Sequence, residues 1–182
     1  APGTVIISAA GEVSDVKKTV SPVLQPKKST LYYIDFSGEE LKLGGSAFAQ
    51  TLNRLGKDVP SVKDPAQFVK TFDAVQKLVK SKALLAAHDV SAGGLVTTLL
   101  EMCFANVNGG IEFNADAFDS LGETDLVKIL FAENPALVIQ VADAKAEKVE
   151  AVLTEAGARF CAIGVPAKER VIEISHNGAE RL

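Results

Sequence analysis

The sequence is poor in the residues that build metal centres, disulfide frameworks and nucleophilic triads. Its 182 residues include 2 cysteines, 2 histidines, 1 methionine and no tryptophan. Cys103 and Cys161 lack the C-x-x-C spacing of zinc and redox motifs, and His88 and His176 are far apart in the chain. The G-x-S-x-G elbow of a catalytic serine is also absent. These absences exclude a clustered zinc site, a disulfide framework and a hydrolase of the elbow type.

Long apolar runs, a signal peptide and concentrated positive charge are missing too. The net charge is −4, and the basic residues are scattered rather than clustered. Such a chain gives no electrostatic reason to bind a nucleic-acid backbone or an anionic membrane. With few cysteines and no leader, the pattern is typical of a reducing compartment. We therefore expect a cytoplasmic protein with neither nucleic acid nor membrane as a partner.

The composition that remains is typical of a folded domain. Hydrophobic residues make up 47% of the chain and charged residues 23%. A chain of this length buries roughly two-thirds of its unfolded surface without a staple, so we expect one domain over residues 1–182. The chain begins Ala-Pro-Gly-Thr rather than with Met, which predicts a cut in a linker and hence a fragment of a larger multidomain enzyme.

Alternating apolar patterns predict an α/β (α+β) fold. Strands are predicted at residues 4–9, 31–36, 84–87, 111–113, 136–141, 160–164 and 170–175. Helices are predicted from Ser46 to a closing Gly56, from Pro65, from Leu95, over 125–131 and over 144–156. The last strand–helix–strand–strand run, with Pro166 in a turn, resembles half of a split βαβ unit. The predicted architecture is a mixed sheet covered by helices, with ferredoxin-like elements.

Two details of these helices can be checked directly. One apolar stripe at helical spacing predicts a core face, and it consists of Phe68, Phe72, Val75 and Val79. Asp143 is predicted to cap the start of the last helix, and Gly157 to end it.

The densest polar cluster is the segment 88–95, His-Asp-Val-Ser-Ala-Gly-Gly-Leu, where a predicted strand meets a helix. Ligands of α/β domains bind at the carboxyl ends of strands, and a helix N-terminus offers N–H groups to anions. Asp89 supplies a carboxylate of the kind that Mg²⁺ prefers, and Ser91 supplies a hydroxyl. Gly93 and Gly94 allow a phosphate or another backbone to approach closely. A structural interpretation is equally open, in which Asp89 or Ser91 caps the helix and the glycines make the turn.

A second glycine turn, Gly44-Gly45-Ser46, leads into a predicted helix and is a weaker candidate for an anion site. The simpler interpretation is that Ser46 caps that helix. Neither glycine turn has P-loop or dinucleotide-binding spacing. Glu133, at a break between helix and strand, either faces the same edge as Asp89 or is a solvent-exposed loop acid, and the second interpretation is the simpler one.

The segment 88–95 resembles the His-Asp-x-Ser-Asp-Gly-Gly-Leu signature in the C-terminal domain of the aminoimidazole-ribonucleotide-synthetase superfamily. Further stretches are similar to the phosphoribosylformylglycinamidine synthases of that superfamily, in their large single-chain form. They follow in order along the whole chain and lie at residues 6–8, 12–19, 43–50, 101–105 and 130–136. The similar block of the large enzymes lies in their second synthetase half, before the glutaminase domain.

The resemblance implies a domain of an ATP-dependent ligase of purine synthesis. With Mg²⁺ and glutamine, such an enzyme converts formylglycinamide ribonucleotide to formylglycinamidine ribonucleotide. In the family the Asp of the turn binds Mg²⁺ and the Ser contacts ATP or ADP, which are the positions of Asp89 and Ser91. That nucleotide site is either catalytic or auxiliary. The resemblance implies no catalytic residue in this chain, because those residues belong to synthetase N-terminal-type domains and to the glutaminase domain, its expected partners.

Two positions depart from the family pattern, and two other functions stay open. Ala92 stands where the signature has Asp, and Asn134 stands where an acid is common. Another superfamily member, such as a selenophosphate synthetase or a thiamine-monophosphate kinase, is one alternative. The segment Leu-Phe-x-Glu at residues 130–133 favours the amidotransferase instead. A free-standing binding module that shares the fold is the other alternative.

Overall fold

The strands and helices are known from a computed structural model that describes residues 7–13, 15–106 and 109–180. The α-helices are α1 (Ala47–Thr51), α2 (Pro65–Lys80), α3 (Gly94–Phe104), α4 (Leu126–Phe131) and α5 (Ala146–Glu155). Short 3-10 segments lie at Val16–Lys18, Ala115–Leu121 and Asp143–Lys145. The strands are β1 (Ser29–Asp35), β2 (Leu84–Val90), β3 (Gly110–Asn114), β4 (Ala136–Ala142), β5 (Arg159–Ala167), β6 (Ile172–His176) and β7 (Ala179–Glu180).

These strands form one mixed sheet in the order β2-β4-β1-β5-β3-β6-β7. Strand β1 is antiparallel to both β4 and β5, and β4 is also antiparallel to β2. The unit β1-α2-β2 therefore has β4 between its strands, and the unit β4-α5-β5 has β1 between its strands. Two interleaved split βαβ units of this kind are the ferredoxin-like arrangement. The predicted mixed sheet with ferredoxin-like elements is confirmed.

Helices cover both faces of the sheet because the central strands are apolar on both sides. In β1, Leu31 and Tyr33 pack in a cluster with α3 and α4, whereas Tyr32 and Ile34 pack in a cluster with α2 and α5. Such strands read as continuous apolar runs, since successive side chains alternate between two buried faces. The helix layer of α3 and α4 carries the polar segment at the end of β2.

The helix after Gly44 is shorter than predicted. Helix α1 ends at Thr51 because Asn53 takes a left-handed conformation with φ of 54°, and the amide of Arg54 donates back to the carbonyl of Ala49. This is a Schellman-type end with Asn in the position that glycine usually fills. Leu52 and Leu55 are exposed, so the prediction of a longer helix that closes at Gly56 was wrong.

The stripe predicted for α2 was right in part. Val75 is buried, but Phe72 is 47% exposed. The buried face of α2 is instead built from Thr71, Ala74, Val75 and Leu78. Phe68 lies at its margin, against the ring of Phe36 at 5.1 Å. The buried stripe has the predicted helical period but is rotated toward smaller residues, which allow α2 to pack closely against α5.

The last third of the chain needs two corrections. Asp143 does not cap α5, since a 3-10 turn comes first and Lys145 occupies the cap position without a side-chain bond. Pro166 lies within β5, opposite Ile111 of β3, rather than in a turn. The left-handed Gly157 follows the end of α5 as predicted, with φ of 66°. None of the helices among the described residues is long and apolar enough to cross a membrane.

The strand predicted at residues 4–9 falls partly outside the described residues. The described part, residues 7–9, has no regular secondary structure. Residues 7–9 are therefore not part of a strand of the sheet.

Candidate functional site

The polar segment 88–95 begins inside a strand rather than in a turn. Strand β2 continues through His88 and Asp89 to Val90, so the turn proper consists of residues 91–93, before α3 begins at Gly94. Strand β2 is at the edge of the sheet, next to β4. Val90 points into the core, while the side chain of Asp89 is 74% exposed. The end of an edge strand therefore presents this carboxylate to solvent.

The backbone at Asp89 is fixed although its side chain is exposed. The Asp89 carbonyl accepts a hydrogen bond from the Thr98 hydroxyl at 3.0 Å, and Nδ1 of His88 lies 2.8 Å from the same oxygen. The His88 ring is held in turn by Glu101, with 3.1 Å between Nε2 and Oε2. His88 therefore orients the strand end, and the carboxylate of Asp89 projects from a rigid base.

The structural interpretation of Asp89 and Ser91 as helix caps was wrong. The cap position of α3 is occupied by Gly93, with φ of 92° and no side-chain hydrogen bond. Ser91 is exposed, and its hydroxyl makes no hydrogen bond to the residues that the structure describes. Oδ1 of Asp89 lies 3.5 Å from Nδ1 of His88, and both polar side chains are exposed to solvent.

The second glycine of the pair, Gly94, is explained by contact with the protein's own backbone, whereas a Cβ at Gly93 would meet the side chain of Thr97. Gly94 has φ of 74°, and a Cβ atom there would lie 2.7 Å from the carbonyl oxygen of Leu130 and from Cα of Phe131. The left-handed conformation and this close approach both require glycine. Of the two reasons offered by the sequence, close approach of another backbone applies at Gly94.

The second glycine turn uses its backbone donors within the chain. The amide of Gly44 donates to the Asp58 carbonyl at 2.9 Å, Gly45 donates to Leu55, and Ser46 donates to Leu43. Ser46 also caps α1 as predicted, since its hydroxyl accepts from the Ala49 amide at 3.2 Å. An external anion at Gly44, Gly45 and Ser46 would have to displace these bonds, and binding there stays a prediction.

Glu133, for which the sequence left two interpretations open, contacts the turn that follows Asp89. Its Oε1 atom accepts hydrogen bonds from the amides of Gly93 and Ala47, each at 2.8 Å. The residue is half-buried, so its interpretation as a solvent-exposed loop acid was wrong. Two features of the sequence marked Glu133 as a candidate. It lies at a break between helix and strand, and it belongs to the family-like segment 130–136.

Asn134 shows why an amide can replace the acid common at its position. It is fully buried, and Oδ1 accepts from the Lys42 amide at 3.0 Å. Its Nδ2 group donates to the Ser37 hydroxyl at 3.1 Å and to the Glu40 carbonyl at 3.0 Å. A carboxylate could not donate to a carbonyl. Asn134 therefore stabilises the connection that follows β1 and does not act as a metal ligand.

The cysteines are not nucleophiles. Cys103 and Cys161 are buried and unpaired. Burial raises the pKa of Cys103, and it raises the pKa of Cys161 to about 12, with the charge of Asp35 adding to the effect. Thiols of this kind stay protonated and inert at neutral pH. Cys103 packs in the apolar core, in the cluster that contains Leu99 and Met102.

Asp89 fits a hard cation chemically but does not by itself make a metal site. Within residues 7–13, 15–106 and 109–180, no group of three or more His, Cys, Asp and Glu residues could hold an ion. Mg²⁺ requires near-octahedral oxygen ligands, so other groups or phosphates would have to complete its coordination. Five concavities formed by the described residues are lined by neither Asp89 nor Ser91. Asp89 and Ser91 therefore lie on an open edge, outside these concavities.

Comparison with known families accounts for the segment at the end of β2. The family model described as AIR synthase related protein, C-terminal domain, matches residues 34–177. The chain belongs to this family. As an AIR synthase C-terminal domain, it has the fold that the resemblance of residues 88–95 predicted.

Relatives of this AIR synthase C-terminal domain include a large human enzyme. Over 184 residues the chain is 35% identical to human phosphoribosylformylglycinamidine synthase. The alignment covers 98% of this chain and 13% of the human protein. The chain therefore spans about an eighth of the length of that relative.

Solved structures share the fold at lower identity. Thermotoga maritima PurL complexed with ATP matches with a TM-score of 0.71 and 14% identity over 92% of this chain and 26% of that chain. The same protein complexed with FGAR matches with a TM-score of 0.72 and 15% identity, over 92% of this chain and 28% of that one. The E. coli hydrogenase maturation protein HypE matches with a TM-score of 0.58 and 20% identity, over 89% of this chain and 51% of its own. At these identities the likeness shows the fold alone.

Proposed function

We propose that this chain is a domain of a phosphoribosylformylglycinamidine synthase and forms one wall of a magnesium–nucleotide site. The observation that carries the proposal is the pair of exposed side chains, Asp89 and Ser91, on a backbone fixed by Thr98, His88 and Glu133. Neither side chain caps a helix. Exposed polar groups on a fixed backbone are typical of a binding site that another partner completes.

Each residue has a specific role in this proposal. The carboxylate of Asp89 would bind Mg²⁺, and the hydroxyl of Ser91 would contact the nucleotide, ATP or ADP. When bound, Mg²⁺ would neutralise phosphate charge. His88 holds the strand end that carries Asp89 and does not act as a general base. The family resemblance and the relatives complexed with ATP and ADP support this assignment.

The remaining ligands would come from other domains of the same enzyme. Synthetase N-terminal-type domains would face the Asp89 edge, and a glutaminase domain would supply ammonia from glutamine. The reaction would join that ammonia to formylglycinamide ribonucleotide at the expense of ATP. One carboxylate and one hydroxyl are too few for this chemistry, so the domain alone is expected to be inactive.

The first test measures ADP release that depends on formylglycinamide ribonucleotide and ammonia. We expect none from the 182-residue chain and robust release from the longer enzyme that contains it. Turnover by the isolated chain would overturn the idea of an incomplete site. Failure of the longer enzyme to use this substrate would overturn the ligase assignment.

The second test is a calorimetric titration of the isolated chain with Mg·ATP. We expect millimolar affinity or none, because Mg²⁺ lacks most of its ligands on this wall. Circular dichroism on the same sample controls for folding. Micromolar affinity would contradict the proposal that a second domain completes the site.

A further inference from the structure

A single carboxylate oxygen joins the two glycine turns of the domain. Oε1 of Glu133 accepts from the Gly93 amide and from the Ala47 amide. The donors are 40 and 86 residues away from Glu133 in sequence. The contact is therefore a tertiary link between three separate segments.

The residues just before Glu133, Leu130 and Phe131, pack in a way that fixes the direction of its carboxylate. The ring of Phe131 stacks on Phe48 of α1 at 4.6 Å between centroids. The backbone at Leu130 and Phe131 touches Gly94, the first residue of α3. The segment before Glu133 thus contacts both turns, and the carboxylate lies between their amides.

The hydrogen-bond acceptors available to the helix-start amides indicate what this link does. The first amides of a helix have no intrahelical acceptor, and Gly93 has no side chain that could supply a local one. Charged acceptors make the stronger hydrogen bonds, and a negative charge is favourable at the start of α3. Without the carboxylate, the turn at residues 91–93 would keep the hydrogen bond from the Gly94 amide to the Ser91 carbonyl at 3.0 Å, but two successive left-handed glycines would hold it less firmly.

We propose that Glu133 is a positioning residue for the nucleotide edge, the exposed edge formed by Asp89 and Ser91. It holds the turn at residues 91–93 in the conformation that presents Ser91 beside the end of β2, and it ties that turn to the start of α1. The effect on nucleotide rests on the proposed function. The link between the two amides is a property of this chain alone and is testable without any ligand.

Hydrogen exchange of individual amides in the 182-residue chain tests the link. In Glu133→Ala we expect the Gly93 and Ala47 amides to exchange about tenfold faster or more, while protection in β1 and β4 is unchanged. Glu133→Gln should restore most of the protection, because its amide oxygen can accept the same two bonds. Glu147→Gln, an exposed change on α5, is the matched control. Unchanged exchange at both amides in Glu133→Ala would overturn the inference, and so would a change at only one of them.

Binding of Mg·ADP to the longer enzyme tests the consequence. We expect Glu133→Ala to weaken affinity about tenfold without changing the number of nucleotides bound at saturation, and Glu133→Gln to rescue it. A general loss of folding would instead lower the number of nucleotides bound at saturation. If Asp89→Asn abolishes binding while Glu133→Ala leaves it intact, the positioning role is wrong and the proposed function stands. If the two amides are linked but Asp89→Asn has no effect, the link stands and the proposed function fails.

Discussion

The turns at residues 44–46 and 91–93 each place glycine ahead of a helix, and a helix-start amide at each donates to Glu133. They differ in what is left exposed. At the first turn every amide from Gly44 to Ala47 has a protein acceptor, and the hydroxyl of Ser46 is buried as a cap. At the second turn no side chain caps the helix, and Asp89 and Ser91 are exposed.

The difference shows that a glycine-rich helix start does not by itself indicate a ligand site. Backbone of the same chain requires glycine at Gly44, where a Cβ would lie 2.3 Å from the Asp58 carbonyl oxygen, and at Gly94, which directly follows the second turn. The two turns differ in whether their polar side chains are buried in hydrogen bonds or exposed to solvent. The second region is the proposed site because its polar side chains stay exposed: Asp89 lies 3.5 Å from the His88 ring, and Ser91 caps no helix.

The largest stability effect is expected at Gly94, where both the backbone conformation and close packing require glycine. Gly94→Ala should lower the free energy of unfolding by roughly 3 kcal/mol or more, because a left-handed φ and a clash with Leu130 and Phe131 add together. Gly122→Ala is the matched control, with φ of 81° and no neighbour within 4 Å of a Cβ. It should cost only about 1 kcal/mol. Urea denaturation gives both values, and equal losses would mean that close packing at Gly94 does not matter.

A smaller effect should separate the two serines. Ser46→Ala removes a buried cap that also donates to the Leu43 carbonyl at 2.7 Å, so we expect a loss of about 1–2 kcal/mol. Ser91→Ala removes an exposed hydroxyl without a hydrogen bond and should stay within about 0.5 kcal/mol of the parent chain. Thermal unfolding of the two variants side by side is the measurement. A comparable loss in Ser91→Ala would show that this hydroxyl is structural after all.

Much of the fold could be predicted from the sequence because its signals are local. The apolar runs of β1 and β4, the Pro65 start of α2 and the short helix α4 all lie close to where the pattern indicated. The end of α1 was missed because Asn53, rather than Gly56, takes the left-handed position. The buried face of α2 was misplaced because packing against α5 selects Ala74 over Phe72.

The candidate site divides in the same way. Asp89 and Ser91 were chosen from local pattern and resemblance, and the structure places them together on one edge. The role of Glu133 depends on contacts with Gly93 and Ala47, which no local pattern of hydrophobicity or capping can reveal. The capping interpretation of Ser91 failed because a glycine with positive φ, not a serine, takes the position before α3.

The most direct test of the proposed magnesium–nucleotide site is the amount of ADP that stays bound when Asp89→Asn is made in the longer synthase proposed to contain this chain. Asn keeps the size of the side chain, and Asp89 caps no helix, so folding stability without nucleotide should change by less than about 0.5 kcal/mol. A neutral amide oxygen is a poor substitute for a carboxylate beside a divalent ion. Asp73→Asn, an exposed change on α2 across the sheet, is the control.

We predict that Asp89→Asn loses the bound ADP and that Asp73→Asn keeps it. At an auxiliary site the loss should lower the thermal midpoint, because bound nucleotide stabilises the folded state by linkage, and at a catalytic site turnover should fall first. Full retention of ADP in Asp89→Asn, with unchanged thermal midpoint and activity, would contradict the assignment of this edge to a magnesium–nucleotide site.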